Sequence, residues 1–253
     1  MKLRMSLILV PLTSLHVGGG DAIRASELSI VRDEHEDPFV PASTVRGTLR
    51  TAAHYAVKSL GERLGLNLVS CGCKEPNEIS EAHRRLGIEA CDVCKVWGFA
   101  GYESPLRISD FTLAIQAPPP TVYSLTRVSI DDYTGSKRER ALYTMEYVVP
   151  GTPFQGQLEL DLRGLECKHL LLLLEAMRLF EAFGPGRQGV ARLYIWGLKV
   201  GDKHVQDPNE AAKAVVEAKD CNGLLEPLKT LFGILWAPHV FNLYRELVGV
   251  DRL

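Results

Sequence analysis

Residues 38–50 read PFVPASTVRGTLR, a stretch that leaves a strand and enters a helix. Pro41 and the small polar residues behind it are helix-start signals, and Ser43 or Thr44 reads as the cap. Backbone amides beyond such a cap, aided by the helix dipole, make an anion site. Arg46 and Arg50 are spaced i, i+4 and share one helix face. Gly47 between them costs about 1 kcal/mol relative to alanine, which makes sense where another backbone approaches closely. The combination predicts a phosphate-binding helix start; an ordinary capped helix with two solvent-facing arginines is the competing reading.

Outward from this stretch, periodicity and chain breakers predict the other elements. A first strand spans about 3–12, the turn HVGGGDA follows, and LSIV at 28–31 is extended. The helix opened at 44 runs to about 60 and ends at Gly61. After a cysteine-bearing, polar segment comes the strand LRISDFTLAIQ, with Leu106, Ile108 and Phe111 facing inward and Pro118–Pro120 stopping it. Two extended segments flank DDYTGSKRER, the second leading into PGTPFQGQLELDL. A helix at about 166–182 is closed by Gly184, Pro185 and Gly186, and LYIWGLKV is the last strand. PNEAAKAVVEA and a segment near 239–248 read as C-terminal helices. Strand, helix, strand, strand, helix, strand is the order of a ferredoxin-like unit, so the fold class is α+β with insertions between its elements.

At 253 residues and 46% hydrophobic content the chain can bury one large core. The apolar run in MKLRMSLILVPL is short and meets Pro11, which favours a core strand over a signal peptide. LLLLLEAM at 170–177 carries Glu175 and is too short for a membrane span, so the expected location is cytoplasmic. A formal net charge of −2 excludes a protein that coats nucleic acid with its whole surface, but not a local basic groove. Arginines do cluster, at 46 and 50, 84 and 85, 138 and 140, and 187 and 192. The acidic run DEHED at 33–37 reads as a solvated loop.

Cys71 and Cys73, then Cys91 and Cys94, form two close pairs. Four thiolates can complete a tetrahedral structural zinc shell, with His83 between the pairs as an alternative ligand. Two disulfides or free thiols are the competing readings. Cys167 and Cys221 have no neighbour in sequence and read as buried hydrophobes. FGPGRQGVARL, at 183–193, sets three glycines and two arginines between a helix and a strand, offering main-chain amides and guanidinium forks to phosphate.

LHVGGGDA, PFVPASTVRGTLR, CDVCKVWG, RISDF, RVSIDDYTG, LYTMEYVVPGTPF and GPGRQGVARL occur in this order over about residues 5–200. Together they resemble the RAMP superfamily of CRISPR-associated proteins, and more narrowly the Cas7 group, Csm3-like backbone subunits of type III effector complexes. The resemblance implies a ferredoxin-like, RRM-type core at residues 1–205. It also implies a zinc-stabilised lid in the Cys-rich insertion at about 62–100 and a thumb-like hairpin at about 121–150; the helices at 206–253 read as a C-terminal extension that the resemblance does not cover.

The same resemblance implies CRISPR RNA and target RNA as ligands, and other Cas subunits or copies of the chain as filament neighbours. It assigns RNA contacts to Ser43, Thr44, Arg46, Arg50, Arg127, Gly186, Arg187, Gln188, Gly189 and Arg192. Ala42 stands where the family has glycine, and Arg46 where lysine is frequent. Many such subunits cut target RNA with an aspartate after the first strand; the matching position is Glu27, with Asp33 and Asp21 nearby, and the metal would be magnesium or manganese. His16 reads as a structural histidine. The alternatives are an autonomous endoribonuclease that processes precursor CRISPR RNA, a non-catalytic structural paralogue, and an unrelated zinc-stabilised α+β protein.

Overall fold

The computed structural model describes residues 1–18, 27–72, 75–114, 122–130, 137–219, 221 and 223–237. Its elements in chain order are β1 (Lys2–Pro11), β2 (Glu27–Leu28), α1 (Ala42–Leu64), α2 (Pro76–Leu86), α3 (Asp92–Trp97), β3 (Leu106–Ile108), β4 (Thr112–Leu113) and β5 (Val122–Ile130). There follow β6 (Lys137–Val148), β7 (Phe154–Asp161), α4 (Cys167–Phe183), β8 (Ala191–Val200), β9 (Lys203–Val205), α5 (Pro208–Lys219) and α6 (Leu225–Leu235).

Alternation along β1 turns Leu3, Met5, Leu7 and Leu9 into the core. β1 pairs antiparallel with β7 on one side and β8 on the other. The main sheet has the order β3-β7-β1-β8-β9, with β4 also on β7. A second sheet, β2-β6-β5, carries the long β5–β6 hairpin. The expected order strand, helix, strand, strand, helix, strand is present as β1, α1, β3, β7, α4 and β8.

α1 and α4 pack together against the main sheet. Val45, Leu49, Ala52, Ala53, Ala56 and Leu60 line the buried face of α1, and its three alanines leave room for the leucines of α4. Glu175, the charge inside that leucine run, is fully buried. Its carboxylate accepts from Ser59 Oγ at 3.0 Å, Arg63 Nη2 at 2.7 Å and Arg178 Nε at 2.9 Å, so the buried charge ties α1 to α4.

Several expectations are corrected. α1 passes through Gly61 and ends at Gly65, whose left-handed backbone (φ 64°) lets its N–H reach Gly61 O at 3.0 Å. LRISDFTLAIQ is two short strands rather than one, because Phe111 leaves β7 and exchanges two backbone bonds with Val40. The polar segment between the cysteine pairs holds a helix, α2, and α3 starts after Cys91 and carries Cys94. Cys167 and Cys221 are not isolated: they form a disulfide joining the start of α4 to the turn between α5 and α6. α6 was not anticipated, and the helix expected near 239–248 lies outside the described residues, as do Asp21, Cys73 and Pro118–Pro120.

Candidate nucleic-acid interface and metal centre

The cap of α1 differs from the sequence expectation. Pro41 occupies the cap position, and Ser43 and Thr44 lie inside the first turn with no side-chain cap bond. Asp110, 68 residues away, supplies the acceptor: Ala42 N–H donates to its Oδ1 at 2.7 Å. The helix start therefore already carries one carboxylate. Beyond it Ser43 and Gly47 are exposed, one turn apart, and a side chain added at Gly47 would meet nothing within 4 Å among the described residues. This part of α1 is bare and open to an external backbone.

The glycine-rich loop docks beside it. Thr48 Oγ1 lies 3.3 Å from Gly184 O, which links α1 to the end of α4. The loop then pairs with the segment after β1: His16 N–H donates to Gln188 O at 2.9 Å, and Arg187 N–H to His16 O at 3.0 Å. Gly189 (φ 108°) lies so close to this segment that a Cβ there would stand 2.7 Å from Ser14 O. Docking consumes these main-chain groups and leaves the Arg187 side chain exposed, with no protein partner among the described residues.

The base of the hairpin closes the other side. The two-residue period of β6 puts Tyr143, Met145 and Tyr147 on one face, opposite Tyr123, Leu125 and Arg127 of β5. Tyr147 is buried, its hydroxyl donates to Gln188 Oε1 at 2.7 Å, and the exposed Arg127 guanidinium lies 5.2 Å from its ring centre. Loop 184–189 is thus bonded on one side to α1, through Thr48, and on the other to the hairpin, through Tyr147. Sequence reading missed Thr48, Tyr147 and Tyr123; the alternation in YTMEY was the available signal for the tyrosine face.

Three expected phosphate ligands are aimed elsewhere. Arg192 is ion-paired with Glu181 at 2.5 Å, a hydrogen bond that raises its pKa. Arg46 Nη2 donates to Trp97 O at 2.6 Å and its Nη1 to Leu106 O at 3.0 Å. Arg50 Nη1 donates to Gly98 O at 3.1 Å and its Nη2 to Cys94 Sγ at 3.3 Å. Burial, and then the Arg50 charge, push the Arg46 pKa down.

Cys94 belongs to a cluster. One donor atom each of Cys71, His83, Cys91 and Cys94 lies within 4.8 Å of the others, with Cys71 Sγ 3.9 Å from Cys94 Sγ. Sulfurs on a tetrahedral zinc with bonds of ~2.3 Å stand about 3.8 Å apart. His83 is buried, its Nδ1 has no hydrogen-bond partner among the described residues, and its Nε2 accepts from Cys91 N–H at 3.3 Å. Three thiols and an imidazole, closely spaced and largely buried, are a donor set that fits zinc. The hydrogen bond between the two neighbouring thiols holds Cys91 down to about 4 and pushes Cys94 up. Behind the cluster, the buried Asp92 carboxylate takes bonds from Val69 N–H at 2.7 Å and His169 Nε2 at 2.9 Å, fixing α3 to α4.

The acidic candidates are spread out. Glu27 is in β2, its backbone parallel to Thr144 of the hairpin. Asp33 closes its own turn, with Oδ1 accepting from His35 N–H at 2.9 Å and Asp37 N–H at 3.0 Å. His16 is 1% exposed, and its Nδ1 is 2.8 Å from Glu146 O.

A family model described as the RAMP superfamily matches residues 9–189, from the end of β1 through the glycine-rich loop. The chain belongs to the RAMP superfamily. Membership implies a CRISPR-associated, RNA-binding protein. No curated protein matches the chain. Among the described residues of this RAMP protein, no helix is long and apolar enough to cross a membrane.

Proposed function

We propose that this RAMP protein is a CRISPR RNA-binding backbone subunit of a type III effector complex, of the Cas7 group and Csm3-like, working in the cytoplasm. The observation that carries the reading is the position of the glycine-rich loop, bonded to α1 through Thr48 and to the hairpin through Tyr147. A strand of RNA laid along this side would meet the bare start of α1, the loop, Arg187 and Arg127 in turn. Such contacts address phosphates more than bases, which suits a subunit that accepts any guide sequence. In this reading residues 1–205 form the ferredoxin-like core, 62–100 the zinc-held lid, 121–150 the thumb, and 206–253 an extension. Other Cas subunits or copies of the chain would flank it along the guide and its paired target RNA.

The test is binding of unrelated guide-length RNAs over a range of salt concentrations. Similar affinities for different sequences, with a steep salt slope that becomes shallower by about one in Arg187→Ala, support the reading. Absence of binding at low salt would overturn it.

Target cleavage with magnesium or manganese is the second reading. The pairing of Glu27 with Thr144, which places a carboxylate-bearing residue beside the thumb, favours it. Regularly spaced cuts in a complementary target that disappear in Glu27→Ala would establish it; cuts that persist would remove Glu27 from the chemistry. An autonomous processing nuclease is less well supported, because His16 is buried and already bonded.

A further inference from the structure

Arg46 and Arg50 share a face of α1, and it is the face turned to the lid. Together they make three hydrogen bonds to the carbonyls of Trp97, Gly98 and Leu106, at the end of α3 and in β3, and a fourth to Cys94 Sγ. Two guanidinium groups one helical turn apart repel each other, so this arrangement needs compensating negative charge. Carbonyl dipoles provide part of it. Zinc held by three thiolates and a neutral imidazole carries a net charge of about −1, and a half-buried centre of that charge is itself costly unless paired. A guanidinium donating to one of the sulfurs meets both needs.

We infer that Arg50 is an outer-sphere positioning residue of the metal centre, and that Arg46 and Arg50 form the latch fixing the Cys-rich lid to the RNA-facing helix. This rests on the zinc reading of the lid, and it takes both arginines out of the phosphate contacts. Metal, lid and α1 then behave as one rigid unit, and loss of the metal loosens the helix that starts the RNA path.

The experiment loads the 253-residue chain, as wild type, Arg50→Ala and Arg50→Lys, with Zn2+ and titrates each with a competing chelator. RNA affinity of the same proteins is followed against salt, beside Arg187→Ala. Arg50→Ala is expected to hold zinc about tenfold or more weakly, the size of effect typical for a lost outer-shell partner. Arg50→Lys, which keeps the charge without the fork, recovers part of the loss. With zinc saturating, both variants keep the wild-type salt slope, whereas Arg187→Ala becomes shallower by about one.

Wild-type zinc affinity in Arg50→Ala, or a shallower salt slope at full zinc occupancy, overturns the inference. If Arg50→Ala does not fold, Arg50→Lys decides alone: weaker zinc with an unchanged slope supports the inference, and wild-type zinc affinity overturns it. A wild-type chain that binds no zinc defeats it together with the zinc reading. A wild-type chain that binds no RNA defeats the RNA reading instead, and the chelator titration still decides the role of Arg50.

Discussion

The Tyr147 hydroxyl donates to Gln188 Oε1 at 2.7 Å, spanning 41 residues to join the base of the hairpin to the glycine-rich loop. Tyr147 also carries the Arg127 guanidinium above its ring, so one buried side chain organises two candidate RNA contacts. Tyr147→Phe keeps the ring and removes the bond. The expected loss is about 0.5–1.5 kcal/mol of stability, with RNA affinity lowered a few-fold and its salt slope unchanged, because no charge is removed. Urea unfolding and salt-dependent RNA binding measure the two effects, and a changed slope would count against this role.

Gly189 and Gly47 should respond in opposite directions to alanine. At Gly189 the new Cβ would sit 2.7 Å from Ser14 O with φ at 108°, so the loop must undock at a cost on the order of 1–3 kcal/mol, and RNA binding should be lost with it. At Gly47 the space is open, and alanine should stabilise the free protein by up to about 1 kcal/mol. If RNA passes close to this helix backbone, Gly47→Ala weakens binding all the same. A more stable protein with undiminished affinity would move the RNA path away from Gly47.

The ligand set of the metal centre can be separated by substitution. His83→Ala and Cys91→Ser should reduce the zinc content of purified protein from about one per chain towards none, since both residues are in the cluster. Metal analysis by mass spectrometry distinguishes this from the Cys71, Cys73, Cys91, Cys94 set expected from sequence. Retention of zinc by His83→Ala would favour the four-cysteine set instead.

Glu175 links α1 to α4 and makes stability depend on pH. Burial alone would raise its pKa, but bonds from Arg178 and Ser59 and the charges of Arg178 and Arg63 outweigh it and hold the carboxyl below its ordinary value. The folded state therefore resists protonation more than the unfolded chain. This stabilisation is complete above the unfolded glutamate value of about 4.3 and is lost as pH falls below it. Glu175→Gln should cost about 1–3 kcal/mol at neutral pH, and the gap to wild type should narrow at pH 3. Urea midpoints at pH 7, 4 and 3 check the sign; a constant gap would exclude an ionised Glu175 as the cause.

The disulfide between Cys167 and Cys221, 54 residues apart, closes a loop that holds α4, β8, β9 and α5. Restricting the unfolded chain over that length is worth about 4 kcal/mol in the chain-entropy account. Reductant, or Cys167→Ser, should lower stability by an amount approaching this and leave zinc content unchanged. Equal stability with and without reductant would show that the cross-link contributes nothing in solution.

The elements that carry this fold were legible because their signals are local. The alternation of leucines in β1, the leucine run of α4 and the punctuation at Gly184–Gly186 each depend on neighbours within a few residues. So does the motif series that led to the RAMP superfamily. The cysteine pairs pointed by spacing to a cluster that could hold a metal, with His83 between them as an alternative ligand. The i, i+4 spacing of Arg46 and Arg50 established that they share a face.

Which face that is, however, depends on how α1 lies on the sheet and where the lid packs, and only the tertiary structure turned both forks onto Cys94 and the carbonyls around it. The same holds for Asp110 reaching the start of α1 from 68 residues away, and for Cys221 returning to Cys167. These contacts join residues far apart in the chain, and no local period or spacing encodes them. Their partners are chosen by the packing of helices against the sheet, where burying apolar surface sets the geometry and polar groups must then find bonds in the places that remain.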